Sequence, residues 1–135
     1  MSAAAAARIL TPVVLLAGLL VVPVRAGVIT VDDDGPADYA TIQEAVGAAL
    51  AGDVILVQRG EYAGFAIDAK TLVVAAAEPG QVNRPQLLSG IEVRHIGASR
   101  TVLLAGLDVP GGGPPVDDAL LVEDCGGRVR GNACL

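Results

Sequence analysis

The sequence has no tryptophan, one phenylalanine and two tyrosines in 135 residues. It is also short of cations, with nine Lys and Arg against fifteen Asp and Glu. Phosphate backbones are held by clustered Lys and Arg, so an acidic, aromatic-poor chain excludes a nucleic-acid partner. The same shortage argues against electrostatic docking on an anionic membrane. One histidine and two cysteines with no Cys-x-x-Cys spacing leave almost nothing from which to build a zinc site. Cys125 and Cys134 leave two readings open. They form a disulfide, which an oxidising compartment favours, or both are small apolar fillers of a packed interior.

Long apolar runs occur only at the start. Residues 1–8 are Ala-rich with a single charge at Arg8, and residues 9–22 are apolar apart from Thr11, Pro12 and Gly18. Pro23-Val24-Arg25-Ala26 then supplies the small residues that a signal peptidase reads. Residues 1–26 therefore read as a secretory signal peptide cut after Ala26. The rival, an uncleaved anchor, has a run shorter than the ~20 residues that span a bilayer. The expected location is extracytoplasmic, with no membrane association after cleavage. Without Arg8 and Arg25, seven basic residues face fifteen acidic ones, a net charge of −8. Residues 27–135 suffice for one domain.

That domain opens with "GVITV", an alternating β-branched strand, and a Gly35-Pro36 turn. Thr41 and Glu44 form a capping box, in which the hydroxyl accepts the Glu44 N–H and the carboxylate returns to the Thr41 N–H. Ile42, Ala45, Val46, Ala49 and Leu50 follow at helical spacing, and Gly52 is placed to end the helix. So short a helix, with Gly47 inside it, depends on docking its apolar stripe. Afterwards come apolar runs only: "DVILV", a short strand ending near Ile67, "TLVVAAA", "IEVRHI", "TVLLAGLDV", "ALLVEDC" and "RVRGNAC". No amphipathic helix returns after Leu50. Runs such as "VILV" are apolar throughout, the pattern of strands buried on both faces in parallel sheets. Stacked coils with a shared interior account for them, and Asn132 would suit a position stacked inside a turn. "PGGGPP" is a loop.

The stretch "DGPADYATIQEAVGAALAGDVILVQRGEYAGFAI", residues 34–67, resembles the N-terminal cap and first coil of secreted right-handed parallel β-helix proteins, the pectin-lyase-like superfold. The residues that carry the likeness are Asp34-Gly35, Tyr39, Thr41-Ile42-Gln43, Gly52-Asp53, Val54 to Val57 and Gly60-Glu61-Tyr62. The resemblance implies an all-β fold, a right-handed parallel β-helix with one short N-terminal capping α-helix. Residues 27–135 are then the cap and first few coils. Because "RVRGNACL" halts within coil patterning, the chain reads as incomplete at its C-terminus, a fragment of a longer protein. The superfold hosts pectate lyases, pectinesterases and non-catalytic surface proteins, so it implies no single activity. The later pectinesterase signatures, Gly-x-Val-Asp-Phe-Ile-Phe-Gly and Leu-Gly-Arg-Pro-Trp, are missing from these residues.

No catalytic set stands out. Asp32, Asp33 and Asp34, with Asp117 and Asp118, are the only acids dense enough to suggest calcium, and each run also reads as an ordinary turn or solvated face. Otherwise no cofactor is expected. Asp117, Asp118, Glu123 and Asp124 bracket a strand, with Arg128 and Arg130 one turn later. In a calcium-assisted lyase such groups would be metal ligands and base. His95, on a presumed strand, has no evident partner. Gly111-Gly112-Gly113 lacks the Lys-Ser/Thr and helix of a phosphate loop. Tyr62 and Phe65 read as packing beneath the helix, with sugar stacking as the alternative. The function expected is an exported structural or carbohydrate-binding solenoid with a polysaccharide partner. The alternative is the N-terminal part of a polysaccharide lyase or hydrolase.

Overall fold

The computed structural model describes residues 25–78, 83–109 and 120–134, with 131–134 as backbone alone. Almost all of the expected signal peptide falls outside these residues, as do Asp117, Asp118 and the glycine loop at 110–119.

Strand β1 (Val28–Val31) and helix α1 (Ile42–Ala48) come first. A first coil follows with β2 (Val54–Val57), β3 (Glu61–Tyr62) and β4 (Ala66–Asp68), and a second with β5 (Leu72–Ala76), β6 (Gln86–Leu87) and β7 (Ile91–Arg94). Strands β8 (Thr101–Asp108) and β9 (Leu120–Glu123) make the third, and β10 (Arg128–Cys134) starts another pass. Every strand pairing is parallel. One face stacks β1-β2-β5-β8-β10, a second stacks β3, β6 and the end of β8, and a third stacks β4-β7-β9. The protein is thus a parallel β-solenoid of about three turns, with a single short helix among the described residues, as the apolar runs predict.

Register explains the sequence pattern. Ile29, Ile55, Val74 and Leu104 lie one above another on successive coils, forming an inward aliphatic ladder. Ile67 stacks on Val93, and Tyr62 on Leu87. The predicted burial of both strand faces is only half met. Burial alternates along β2 and β5, so Ile55, Val57, Leu72 and Val74 are buried while Val54, Leu56, Val73 and Ala75 face outward and are half-covered. At the far end of the third face, Leu120 and Val122 lie over Ile91 and Val93 and are exposed. Gly106, at φ 70°, lets β8 bend from the first face to the second, where Asp108 meets Gln86. Asn132 lies in β10 opposite Ala105, not in a turn.

Helix α1 closes the N-terminal end. Thr41 accepts the Glu44 N–H at 3.3 Å, but its hydroxyl, not its N–H, donates to the Glu44 carboxylate at 2.9 Å. Ile42, Ala45, Val46 and Ala49 are buried against the coil, whereas Leu50 is 73% exposed. The helix stops at Ala48, before Gly52, because two charged side chains from outside it take over its end. Lys70, the only lysine, donates to the carbonyls of Val46, Gly47 and Ala49 at 2.8, 3.1 and 3.0 Å. Asp53 accepts the N–H groups of Leu50 and Gly27, both at 2.7 Å. Gly52, at φ 97°, serves the turn into β2.

The outer edge of β1 is covered as well. Tyr39 donates to the Thr30 carbonyl and accepts from the Asp32 N–H, at 3.2 and 3.1 Å. Asp38 accepts from the N–H and hydroxyl of Thr30 at 2.8 and 2.9 Å. Those bonds, the backbone one foremost, hold the Asp38 carboxyl below its ordinary value. Edge pairing with another chain is thereby blocked at Thr30.

Candidate functional site

Two polar regions stand out on the coil surface. The first lies where the chain turns from the first face to the second. Gln58-Arg59-Gly60 makes this turn on the first coil, and Asn83-Arg84-Pro85 completes it on the second. A groove of about 450 Å³ here is lined by Asp33, Asp34, Arg59, Glu61, Asn83, Arg84 and Gln86 among others. A smaller hollow of about 260 Å³ adjoins it between Asp32, Asp34, Gln58, Arg59 and Glu78. Glu61 and Gln86 are register partners, so Arg59 and Arg84, each two residues earlier, occupy equivalent places on successive coils. Coils stack at the strand spacing of about 4.8 Å. The groove therefore carries one guanidinium and one carboxyl or amide on each of the first two coils, while on the third Asp108 lies beside Gln86 and Gly106 stands two residues before it.

The acidic run forms one wall. Oxygen atoms of Asp32, Asp33 and Asp34 lie within 4.8 Å of one another. Their bonding is structural: Asp33 accepts the Glu61 N–H at 3.2 Å and Asp32 accepts the Asp34 N–H at 3.4 Å. Asp33 ties the lead-in of the cap to the first coil, and Asp32 holds the turn itself. The other acids expected to share a calcium role, Asp117 and Asp118, lie outside the described residues.

Tyr62 lies below this wall, buried, and its hydroxyl donates to the Gln58 carbonyl at 3.1 Å. Burial first, and the Asp33 carboxylate second, push its phenol from 10.0 up to about 12. A raised value means that the folded chain holds this proton when the unfolded chain has lost it. The Tyr62 contribution is intact below pH 10 and is lost as pH rises through about 12. Urea midpoints measured from pH 9 upward are expected to fall across that window, and to fall less in Tyr62→Phe. Equal falls in both proteins would remove Tyr62 as the cause. Phe65 is buried too, so both aromatics are core residues and sugar stacking is not open to them.

The second region is the end of the third face. His95 is not in β7 but just past it, at φ 52°. Its Nδ1 lies 2.7 Å from Asp68 Oδ1, a partner 27 residues away that spacing alone did not disclose. Arg94 pairs with Glu92 and, at 3.3 Å, with Glu123. Glu123 ends β9 of the third face and Asp124 follows it, Arg128 and Arg130 stand on β10 of the first, and the other acids of that set, Asp117 and Asp118, lie outside the described residues. Cys125 donates to the carbonyls of Glu123 and Val93 at 3.1 and 3.7 Å, and the side chain of Cys134 lies outside the described residues.

Among the described residues no helix is long and apolar enough to cross a membrane. Comparison with protein-family models, with curated proteins and with solved structures finds no match. Architecture alone therefore places the chain, as a parallel β-solenoid of about three turns with one short helix among the described residues.

Proposed function

We propose that this chain is an exported solenoid of the pectin-lyase-like type that binds a polysaccharide along the groove beside β3 and β6. The observation that carries the reading is the repetition of Arg59 by Arg84 and of Glu61 by Gln86 at equivalent places on adjacent coils. A polymer of polar units running along the solenoid axis meets similar donors and acceptors on the first and second coils. A compact ligand would gain nothing from that repetition. Guanidinium, carboxylate and amide groups suit hydroxyl-rich chains, each side chain offering several directed hydrogen bonds. Export is supported by the leader pattern of residues 1–26.

Affinity electrophoresis through gels containing neutral or acidic polysaccharides tests the binding. Retardation by at least one polysaccharide is expected, with the double variant Arg59→Ala/Arg84→Ala weakened about a hundredfold or more, each lost charged hydrogen bond being worth roughly 1.5–3 kcal/mol net. Unretarded migration in every gel by a chain with an intact β-type circular dichroism spectrum would reject it. Release of unsaturated product from pectin in the presence of calcium would instead place the chain with the lyases. N-terminal sequencing of protein recovered outside the cytoplasm tests export, with Gly27 expected as the first residue.

A further inference from the structure

The corner after the third face brings together side chains from three coils. Asp68, Arg94 and Glu123 are register partners at the ends of β4, β7 and β9. The residues after them, Ala69, His95 and Asp124, all turn with positive φ, at 51°, 52° and 48°. A shared left-handed turn places the three side chains at the same point of successive coils. The His95 ring lies between two carboxylates, with Nδ1 2.7 Å from Asp68 Oδ1 and Nε2 4.0 Å from Asp124 Oδ2. The nearby guanidinium groups are engaged elsewhere: Arg94 with Glu92 and Glu123, and Arg100 with the Ala69 carbonyl.

From this geometry we infer that His95 Nε2 and the Asp124 carboxylate form a two-point site for a borderline divalent transition-metal ion of the zinc class, with Asp68 orienting the imidazole from behind. An ionised carboxylate only accepts, so Asp68 fixes the ring proton on Nδ1 and leaves the lone pair of Nε2 facing Asp124. Metal-bound histidines are held in this way by a carboxylate on their other nitrogen. Two ligand atoms about 2.0–2.1 Å from a tetrahedral ion stand roughly 3.4 Å apart. The 4.0 Å separation reaches that value by a small rotation of the Asp124 side chain, which is 84% exposed. Water completes the coordination, and the two carboxylates offset the charge of the ion. Imidazole with carboxylate favours zinc, copper or nickel over calcium. This site lies on a different face from the polysaccharide groove and does not depend on it.

Because His95 is the only histidine, its ring resonances report the site directly. Zinc ion alone is titrated into the purified full chain, followed by nuclear magnetic resonance and calorimetry. One zinc per chain is expected to shift the His95 signals to saturation. Asp124→Asn and Asp68→Asn should each weaken binding by about ten- to a hundredfold, and His95→Asn should abolish it. Asparagine tolerates the left-handed turn at both 95 and 124, so these variants keep the corner, as matched urea midpoints would show. Asp33→Asn and Cys125→Ala should bind as the parent does. The inference is overturned by imidazole signals that do not move in excess zinc. Wild-type affinity in Asp124→Asn, or loss of binding in Cys125→Ala, overturns it equally.

Discussion

Replacing Gly127 by alanine is expected to cost about 3 kcal/mol or more, a large share of the stability of a small domain. Where the chain turns between the third and first faces, one coil's backbone rests on the backbone of the next. Gly127 donates its N–H to the Ile96 carbonyl at 2.8 Å, and a methyl group there would stand 2.6 Å from the Arg100 carbonyl oxygen and 2.7 Å from Ile96 Cγ2. Carbonyls held in a stacked turn have no rotamer to change, so relief requires moving a whole coil. Gly64 is in the same position on the opposite corner, where an added Cβ would overlap the Gly90 carbonyl oxygen and crowd the Ser89 hydroxyl that accepts the Gly64 N–H. Gly47→Ala should act in the opposite direction. It lies inside α1 with nothing within 4 Å of an added Cβ, so alanine removes unfolded-state freedom and stabilises by about 0.5–1 kcal/mol. Urea unfolding of the three variants checks all three signs. A Gly127→Ala protein with an unchanged midpoint would mean that the coils are not stacked in this register.

The long strands were legible because each carries its own signal. "VITV", "VILV", "LVVAA" and "TVLLAGLD" are apolar and β-branched, and each became a strand of the first face. The helix start was legible for a similar reason, since Thr41 and Glu44 are three residues apart and a capping box is local. Two-residue strands such as Gln86–Leu87 have no period to detect, and that pair lies in a stretch that reads as loop. The helix end is misplaced because Lys70, which takes its last carbonyls, reaches back 21 to 24 residues. Irregular coil length hid both polar regions. Val54 pairs with Val73 but Leu72 with Val102, so the repeat changes from 19 to 30 residues. The likeness of Arg59 to Arg84, or of Ala69 to His95 and Asp124, appears only once that register is known.

Asp53→Ala and Lys70→Met are each expected to detach the lid from the first coil. Asp53 is the one buried charged or polar residue among those described, and it accepts two backbone N–H groups at 2.7 Å. Hydrogen bonds to a charged group contribute about 1.5–3 kcal/mol each, and truncation also leaves two N–H groups without partners, so a loss of about 3 kcal/mol is expected. Lys70→Met keeps the aliphatic stem but abandons three carbonyls at the end of α1, where a cation also opposes the helix dipole, for an expected loss of about 2 kcal/mol. The two residues bind consecutive stretches of one connection, from Val46 to Leu50. Once either is gone that connection frays, and the second substitution should cost less than it does alone. Hydrogen exchange is the discriminating measurement. Amides of α1 should lose protection in both single variants while those of β5 and β8 keep theirs at moderate denaturant. Losses under 0.5 kcal/mol in both would mean that the apolar stripe of Ile42, Ala45, Val46 and Ala49 holds the lid unaided. A seven-residue helix is far below the ~12–15 residues that sustain helical structure in water, so in that outcome the burial of four side chains alone would hold it.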